Sequence, residues 1–394
     1  MNIIKKTSFS LNKLIYKVLK TLGIVYLINK TIKKAYMYEC MGELYWKIIN
    51  SSDSLLTSKT TFRINKIEQL GQTKVEQDIN IISSTNCIIK GGSNLIIKNR
   101  DIYIKDNINL ENEILPEEKN GKVSINKKFI TLKRSKVEQI RVPECVSFLD
   151  ALSQNYAHWI TEVLVNINFY IKHSNCENGG IPILLDMELN DNMIESAKLI
   201  IGNRPIIYVE DCAEVIVENL FVVNSKGHVP YSYRDWNGPR NNGYFDINAM
   251  ISLRENVLSK IATTNKFPKK IYVKRCSTYR NILNPDEVER FLSSVGFSIV
   301  MPETMSFADQ VILFNNADHI IGTTGAAMAN IIFTKPDCKI NILFNSSRYN
   351  AFEYWKNIGE CTGNQIDSNI FGSSVTGDIH SDFRVRIEEL KNII

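Results

Sequence analysis

His158 and Glu162 stand four residues apart in the stretch SQNYAHWITEVL at 153–164. On a helix that spacing puts both on one face, where a carboxylate can hold an imidazole in the orientation a general base needs. The plainer alternative is a structural ion pair. A second group lies in KIYVKRCSTYRN at 270–281, where Lys274, Arg275 and Arg280 cluster behind a short β-type run. Cations at the end of a parallel strand sit on the edge at which open α/β sheets bind ligands, and arginine's planar fork suits a phosphate. A solvated basic loop would carry the same residues. A third group is HIIGTTGAAMAN at 319–330, where a buried strand runs into Gly322 and a helix starts near Gly325 with Ala326 and Ala327. Small residues let a ligand approach the backbone, and the unpaired N–H groups of a helix start attract phosphate. A tight turn packed with small residues is the competing explanation.

These groups need elements to hold them. Between 51 and 145 apolar and polar residues alternate in short runs, such as 86–90, 94–98 and 101–105, punctuated by Gly91, Gly92 and Asn107. This predicts several short antiparallel strands. From Asp150 the period changes: a helix over 155–170, buried strands at 181–186 and 206–210, and a helix near 193–201 between them. Residues 224–245 form a long polar segment holding His228, Tyr231, Tyr233, Trp236 and Tyr244. Loops of that length are uncommon in compact domains unless they bind something or are disordered, so the domain boundary is placed there. Its aromatics include Tyr231, Tyr233 and Trp236, rings that can stack on a flat ligand face.

Beyond that segment, helix 247–263 leads into strict alternation: strand 270–274, helix 285–295, strand 297–300, helix 307–316, strand 319–322, helix 326–333, strand 339–344 and helix 350–358. Alternation of this kind implies a parallel, doubly wound sheet. Asn284-Pro285-Asp286-Glu287 supplies an N-cap and first-turn proline, and Ser306-Phe307-Ala308-Asp309 a weaker capping box. The pattern thus gives an α/β protein of two halves around a cleft. The expected units are a basic N-terminal segment, 1–40, an N-terminal domain, 41–235, and a C-terminal α/β domain, 236–394.

The chain has 394 residues, 44% hydrophobic and 23% charged, a composition that suits two globular domains. Its net charge of +5 is a terminal feature, because eight lysines and one acid occupy the first 40 residues. Nucleic acid is therefore not an expected partner. Leu11, Leu14, Ile15, Val18, Leu19 and Leu22 fall at helical spacing with lysines between them. That fits peripheral contact with an anionic membrane or an ordinary domain helix with a solvated lysine face. No apolar run is long enough to span a bilayer, and the stretch at 23–28 lacks a signal cleavage site. The eight cysteines contain no Cys-x-x-Cys, and there is no Asp-x-Asp, His-Glu-x-x-His, Gly-x-Ser-x-Gly or Walker lysine. No metal site is expected.

Taken in order, NYAHWITEVL at 155–164 and the run from about 270 to 336 resemble glycosyltransferase family 61. The resemblance implies a GT-B-like fold, two Rossmann-like domains facing a cleft, here with short antiparallel strands in the N-terminal half. It implies an inverting, metal-independent transfer of a sugar from a nucleotide-sugar donor to a glycan or lipid-linked glycan acceptor. No cofactor is implied, with UDP the expected carrier on the donor. On this reading Lys274, Arg275, Arg280 and Asn281 face the diphosphate or nucleoside, and Glu303, Ser306 and Gln310 line the donor site. Gly322, Thr324, Gly325, Ala326 and Asn330 form its turn and helix start, and His158 and Glu162 act as the catalytic base, alone or as a pair. On the same reading 236–394 binds the nucleotide-sugar and 41–235 is the acceptor-side domain, with Tyr231, Tyr233 and Trp236 its candidate acceptor surface, since rings stack on sugar faces. The family carries histidine ahead of its Gly-Ala pair, whereas this chain has Thr324. Threonine donates a hydrogen bond but no positive charge, so Lys274, Arg275 or Arg280 must supply more of the leaving-group stabilisation. Two alternatives predict different ligands: a polysaccharide pyruvyl transferase on the same scaffold would take phosphoenolpyruvate, and a non-catalytic glycan-binding or assembly subunit would take glycan alone. The setting that fits an Asn-, Ile- and Lys-rich chain with a basic start is a bacterial cytoplasmic enzyme at the inner face of the membrane, serving capsule or other surface-polysaccharide biosynthesis.

Overall fold

The computed structural model describes residues 37–40, 43–48, 57–66, 72–76, 79–99, 101–104, 110–126, 129–135, 139–174, 180–223, 226–234, 243–262, 267–275, 277–347, 351–370 and 380–394. Of the segment 1–40 only the strand Met37–Cys40 falls among them, so the amphipathic pattern over 11–22 lies outside the described residues, as does Trp236. No described helix is long and apolar enough to cross a membrane.

Two large sheets organise the chain. The first has thirteen strands among the described residues. Those that matter for the site are β1 (Glu43–Ile48), β2 (Ile79–Lys90), β3 (Ile140–Ser147), β4 (Ile183–Asp186), β5 (Ile206–Val209) and β6 (Glu214–Val223). Strands β1, β5, β4, β3 and β6 lie side by side in that order and all run parallel. Strand β2 then pairs antiparallel with β6 and continues into the strands Leu95–Lys98 and Asp101–Ile104. These are the alternating runs of the sequence. Some pairings depart from the antiparallel expectation: Thr57–Lys66 lies parallel to Asp101–Ile104, and β3 is parallel to both its neighbours.

The crossovers of the parallel block are helical. Tyr156–His158 is one α-helical turn, Trp159–Leu164 is π-helical, and α1 (Val165–His173) completes the element. Helix α2 (Asp191–Ile201) is capped by Asn190, whose side chain accepts from the Met193 N–H. Val146, Ile183, Leu185 and Ile206 face these helices in the largest core. On the opposite face Cys145, Leu184, Ile207 and Val209 pack against Ile82, Cys87, Ile89, Ile96 and Tyr103 of the antiparallel strands. The N-terminal half therefore differs from a doubly wound unit: helices cover one face and β-structure the other. A period-2 pattern shows which residues face the core but not what covers them.

The second sheet follows α3 (Ile247–Lys260). It consists of β7 (Lys270–Val273), β8 (Ser298–Val300), β9 (His319–Thr323), β10 (Lys339–Phe344) and β11 (Ile366–Ile370). All five strands are parallel, in the order β8-β7-β9-β10-β11. Helices α4 (Pro285–Ser294), α5 (Phe307–Asn316), α6 (Phe352–Thr362) and α7 (Ile387–Lys391) belong to this half. Tyr272, Ile321 and Leu343 face α4 and α7 on one side, whereas Ile271, Val273, Ile320, Ile340 and Ile342 face the other core. This sheet is doubly wound as the alternation predicts.

Two local expectations change. Residues Ala326–Phe333 form a 3-10 helix, not an α-helix. Asn284 makes no cap bond; its amide donates to the Val385 carbonyl and the Glu287 carboxylate, and its oxygen accepts from the Val385 N–H. It clamps the C-terminal segment, a partner 101 residues away that outcompetes the local cap. Ser306 caps α5 as expected, accepting from the Asp309 N–H.

Candidate active site

The sheet order 2-1-3-4-5 reverses direction between β7 and β9, and open α/β sheets bind ligands at such a switch point, beyond the strand ends. Lys274 and Arg275 follow β7 there, and Thr324, Gly325 and Ala326 follow β9. Arg275 is pinned from two sides, its Nε donating to the Tyr279 carbonyl at 3.0 Å and its Nη2 to the Ser277 hydroxyl at 3.2 Å. The remaining nitrogen, Nη1, lies over Gly325 so closely that an added Cβ would sit 2.0 Å from it. Glycine is needed at 325 because the guanidinium occupies that space. Burial, reinforced by the neighbouring Arg280 charge, lowers the Arg275 pKa, but a guanidinium keeps its proton. Arg280 has a left-handed backbone, φ 61°, and both guanidiniums lie within reach of the Tyr279 ring.

Facing this end across a cleft of about 780 Å³ stands His158. Its Nδ1 lies 2.5 Å from Glu162 Oε2, and Glu162 Oε1 accepts from the Val229 N–H. Glu162 is 8% exposed and does not line the cleft itself; it holds the imidazole from behind. The approach of Val229 depends on Gly227, where a Cβ would sit 2.5 Å from the Thr161 carbonyl of the π-helical turn. Burial disfavours the charged imidazole, yet the charge and hydrogen bond of Glu162, helped by Asp150, outweigh it and raise the His158 pKa. Asp150, Tyr156, Thr324, Gly325, Ala326, Arg275 and Arg280 line the same cleft.

A side chamber of about 230 Å³ opens on the other side of Arg275 and Gly325. Lys274, Glu303 and Gln310 line it, together with Asn190 and Asn192 from the first half. Lys274 is ion-paired with Glu289 at 2.7 Å.

Other candidates are placed behind the surface. Asn330 is fully buried, accepting from the Tyr156 hydroxyl at 2.8 Å and donating to Gln310 at 2.7 Å. Asn281 closes the arginine loop, bonding Ser277 through both side-chain atoms, with its N–H on Asp382. Ser306 is the cap of α5, and Gly322 packs under Met328 Sδ and Val273. Thr324 accepts from Trp355 Nε1 at 3.2 Å, so its hydroxyl oxygen already has a partner. Of the acceptor-side aromatics, Tyr231 and Tyr233 do not line the cleft that holds His158 and Arg275. Tyr231 is 41% exposed beside a small neighbouring cavity, and Tyr233 lies in a two-residue strand paired with Glu113–Ile114.

Several cleft residues carry no spacing signal in the sequence. Asp150, Glu117 and Val229 reach the site from separate segments. Tyr156 sits two residues before His158, and only the helix geometry reveals that its hydroxyl spans to the second half.

One cleft thus holds a cationic, glycine-lined end at a sheet's switch point and an imidazole held by a carboxylate. Residues 156–341, a little under half of the chain, match the family model described as Glycosyltransferase 61. No curated protein matches the chain. The match supports glycosyltransferase activity in the general sense, between a sugar donor and an acceptor. The match spans the imidazole–carboxylate pair, the arginine loop and the turn after β9, and leaves out the β-rich segment before residue 156.

Proposed function

We propose that the protein transfers a sugar from a nucleoside-diphosphate donor to a glycan hydroxyl with inversion, using two α/β halves in the GT-B manner. The observation that carries this reading is one cleft joining Arg275, Arg280 and the Thr324-Gly325-Ala326 turn to His158. The diphosphate binds at the arginine end, where guanidiniums and the N–H groups of the 3-10 turn offset the charge of the leaving group. Lys274 and Glu303 serve the nucleoside in the side chamber, with UDP the favoured carrier.

His158 is the base. The acceptor hydroxyl gives its proton to the imidazole Nε2 as its oxygen attacks the anomeric carbon. The bond from that carbon to the β-phosphate oxygen breaks, and its electron pair leaves with the nucleoside diphosphate. Glu162 positions the ring and stabilises the imidazolium that forms. Charge stabilisation is assigned to Arg275 and Arg280, which line the cleft. A role in surface-polysaccharide synthesis at the inner membrane face accords with the lysine-rich start.

The test is donor turnover: nucleotide release from a panel of UDP-, GDP- and CDP-linked sugars, with EDTA present, by wild type and His158→Ala. The reading requires release from one donor by wild type and its loss in the variant. Wild-type release that vanishes in EDTA would contradict the metal-free mechanism.

A further inference from the structure

Trp355 lies on α6, beyond the end of the family match, and reaches back to the turn after β9. Its indole Nε1–H donates to the Thr324 hydroxyl oxygen at 3.2 Å. We propose that Trp355 is a positioning residue for the leaving phosphate. It fixes the Thr324 hydroxyl as a neutral hydrogen-bond donor to the terminal phosphate of a nucleoside diphosphate. The inference rests on the glycosyl-transfer reading above, and it adds a residue outside the matched segment to that site.

A buried indole N–H needs an acceptor, and the packing leaves this one little freedom to look for another. Trp355 is buried in the large core with Met328 and Ile358, and its ring stands edge-on to that of Tyr354, centroids 4.6 Å apart. Thr324 is held as well, its backbone N–H donating to the Leu343 carbonyl. A hydroxyl has one hydrogen to give and two lone pairs. One lone pair is taken by the indole, so the hydrogen must turn away from it. Among the described residues that hydrogen has no acceptor. Thr324 and Trp355 both line the cleft that holds Arg275 and Arg280, and a ligand oxygen there completes the hydroxyl's bonding.

The chemistry asked of this hydroxyl is modest. As the bond from the anomeric carbon to the β-phosphate oxygen breaks, the electron pair stays on that oxygen. Thr324 shares its hydrogen with the phosphate without giving it up, and the nucleoside diphosphate leaves as the anion. The indole bond polarises the O–H, because hydrogen bonds in a chain strengthen one another. Charge comes from the arginines; the Trp355–Thr324 chain supplies a donor of fixed direction.

The test is calorimetry on the full chain with UDP, GDP and CDP, the matching monophosphates, inorganic pyrophosphate and phosphoenolpyruvate. Wild type is compared with Thr324→Val, Thr324→Ser, Trp355→Phe and the Thr324→Val/Trp355→Phe double variant. For the diphosphate that wild type binds, Thr324→Val should weaken affinity by about tenfold, one hydrogen bond to a charged group, and Trp355→Phe by about threefold. Thr324→Ser should retain the affinity. The double variant should bind no more weakly than Thr324→Val, because Trp355 acts through the hydroxyl. Monophosphate affinity should be unchanged throughout, whereas an indole with a merely structural role would weaken both nucleotides. If Trp355→Phe fails to fold, the indole N–H NMR signals of the wild type decide. The Trp355 signal, recognised as the one that moves in Thr324→Val, should shift downfield with the diphosphate and not with the monophosphate. Equal diphosphate affinity in wild type and Thr324→Val, additive losses in the double variant, or an indole signal indifferent to the diphosphate would overturn the proposal and leave the glycosyl-transfer reading standing. Thr324-dependent binding of pyrophosphate or phosphoenolpyruvate, with no nucleotide bound, would remove that reading and keep Thr324 as a phosphate donor. Binding of none of these ligands would overturn both.

Discussion

Glu162 receives donors on both oxygens, and this determines the state of His158. One oxygen is taken by the Val229 N–H, so the other accepts from Nδ1–H, and Nε2 is left as the basic nitrogen. His158→Ala should lower kcat by about a hundred- to ten-thousandfold while nucleotide affinity, read by calorimetry, changes little. Glu162→Gln keeps the shape but turns an amide donor toward Nδ1, which favours the wrong tautomer, and kcat should fall by on the order of a hundredfold. The pH dependence follows from the sign of the shift. A base works only when neutral, and the His158 pKa is raised above 6.5. The acid limb of kcat/KM should therefore lie above pH 6.5 in wild type and move to lower pH in Glu162→Gln. A limb unmoved in that variant would assign the titration to another group. At Gly325 the argument is steric: Gly325→Ala puts a methyl where Arg275 Nη1 lies, and nucleotide affinity should fall by about tenfold, roughly one charge-assisted hydrogen bond.

At the scale of elements, the two halves are joined by hydrogen bonds as well as by apolar packing. Glu195 on α2 accepts from the Phe307 and Ala308 N–H groups at the start of α5. The Tyr156–Asn330–Gln310 chain makes a second polar link between the halves. Glu195→Ala strands two donors at a helix start and should cost about 1–3 kcal/mol, seen as a lower Tm with unchanged nucleotide affinity in the folded protein. Such links decide what the sequence could reveal. The cap at Ser306 was legible because its partner is three residues away, and the strands β7, β9 and β10 because each is a buried apolar run. Asn284 looked like a cap for the same local reason, yet its partners lie across the fold. Strand β11, reading IDSNI, has too few apolar residues to announce itself, and the π-helical turn at Trp159–Leu164 has no period that distinguishes it from an α-helix. The imidazole–carboxylate pair and the arginine cluster were visible as residue types at a spacing. Glu117 and Asp150 were not, because only the fold brings them to the cleft.

Taken whole, one cleft is lined by cations at the switch point of the second sheet, by carboxylates of the first half and by His158. That arrangement distinguishes glycosyl transfer from its rivals by what binds at the cationic end. The most direct measurement is a calorimetric titration of the full chain with UDP, GDP, CDP, CMP and phosphoenolpyruvate in EDTA, repeated on Arg275→Ala. The account predicts that one nucleoside diphosphate binds with micromolar affinity and weakens by about tenfold or more in the variant, the loss of a charge-assisted phosphate contact. Binding of phosphoenolpyruvate alone, or of no nucleotide at all, would contradict it.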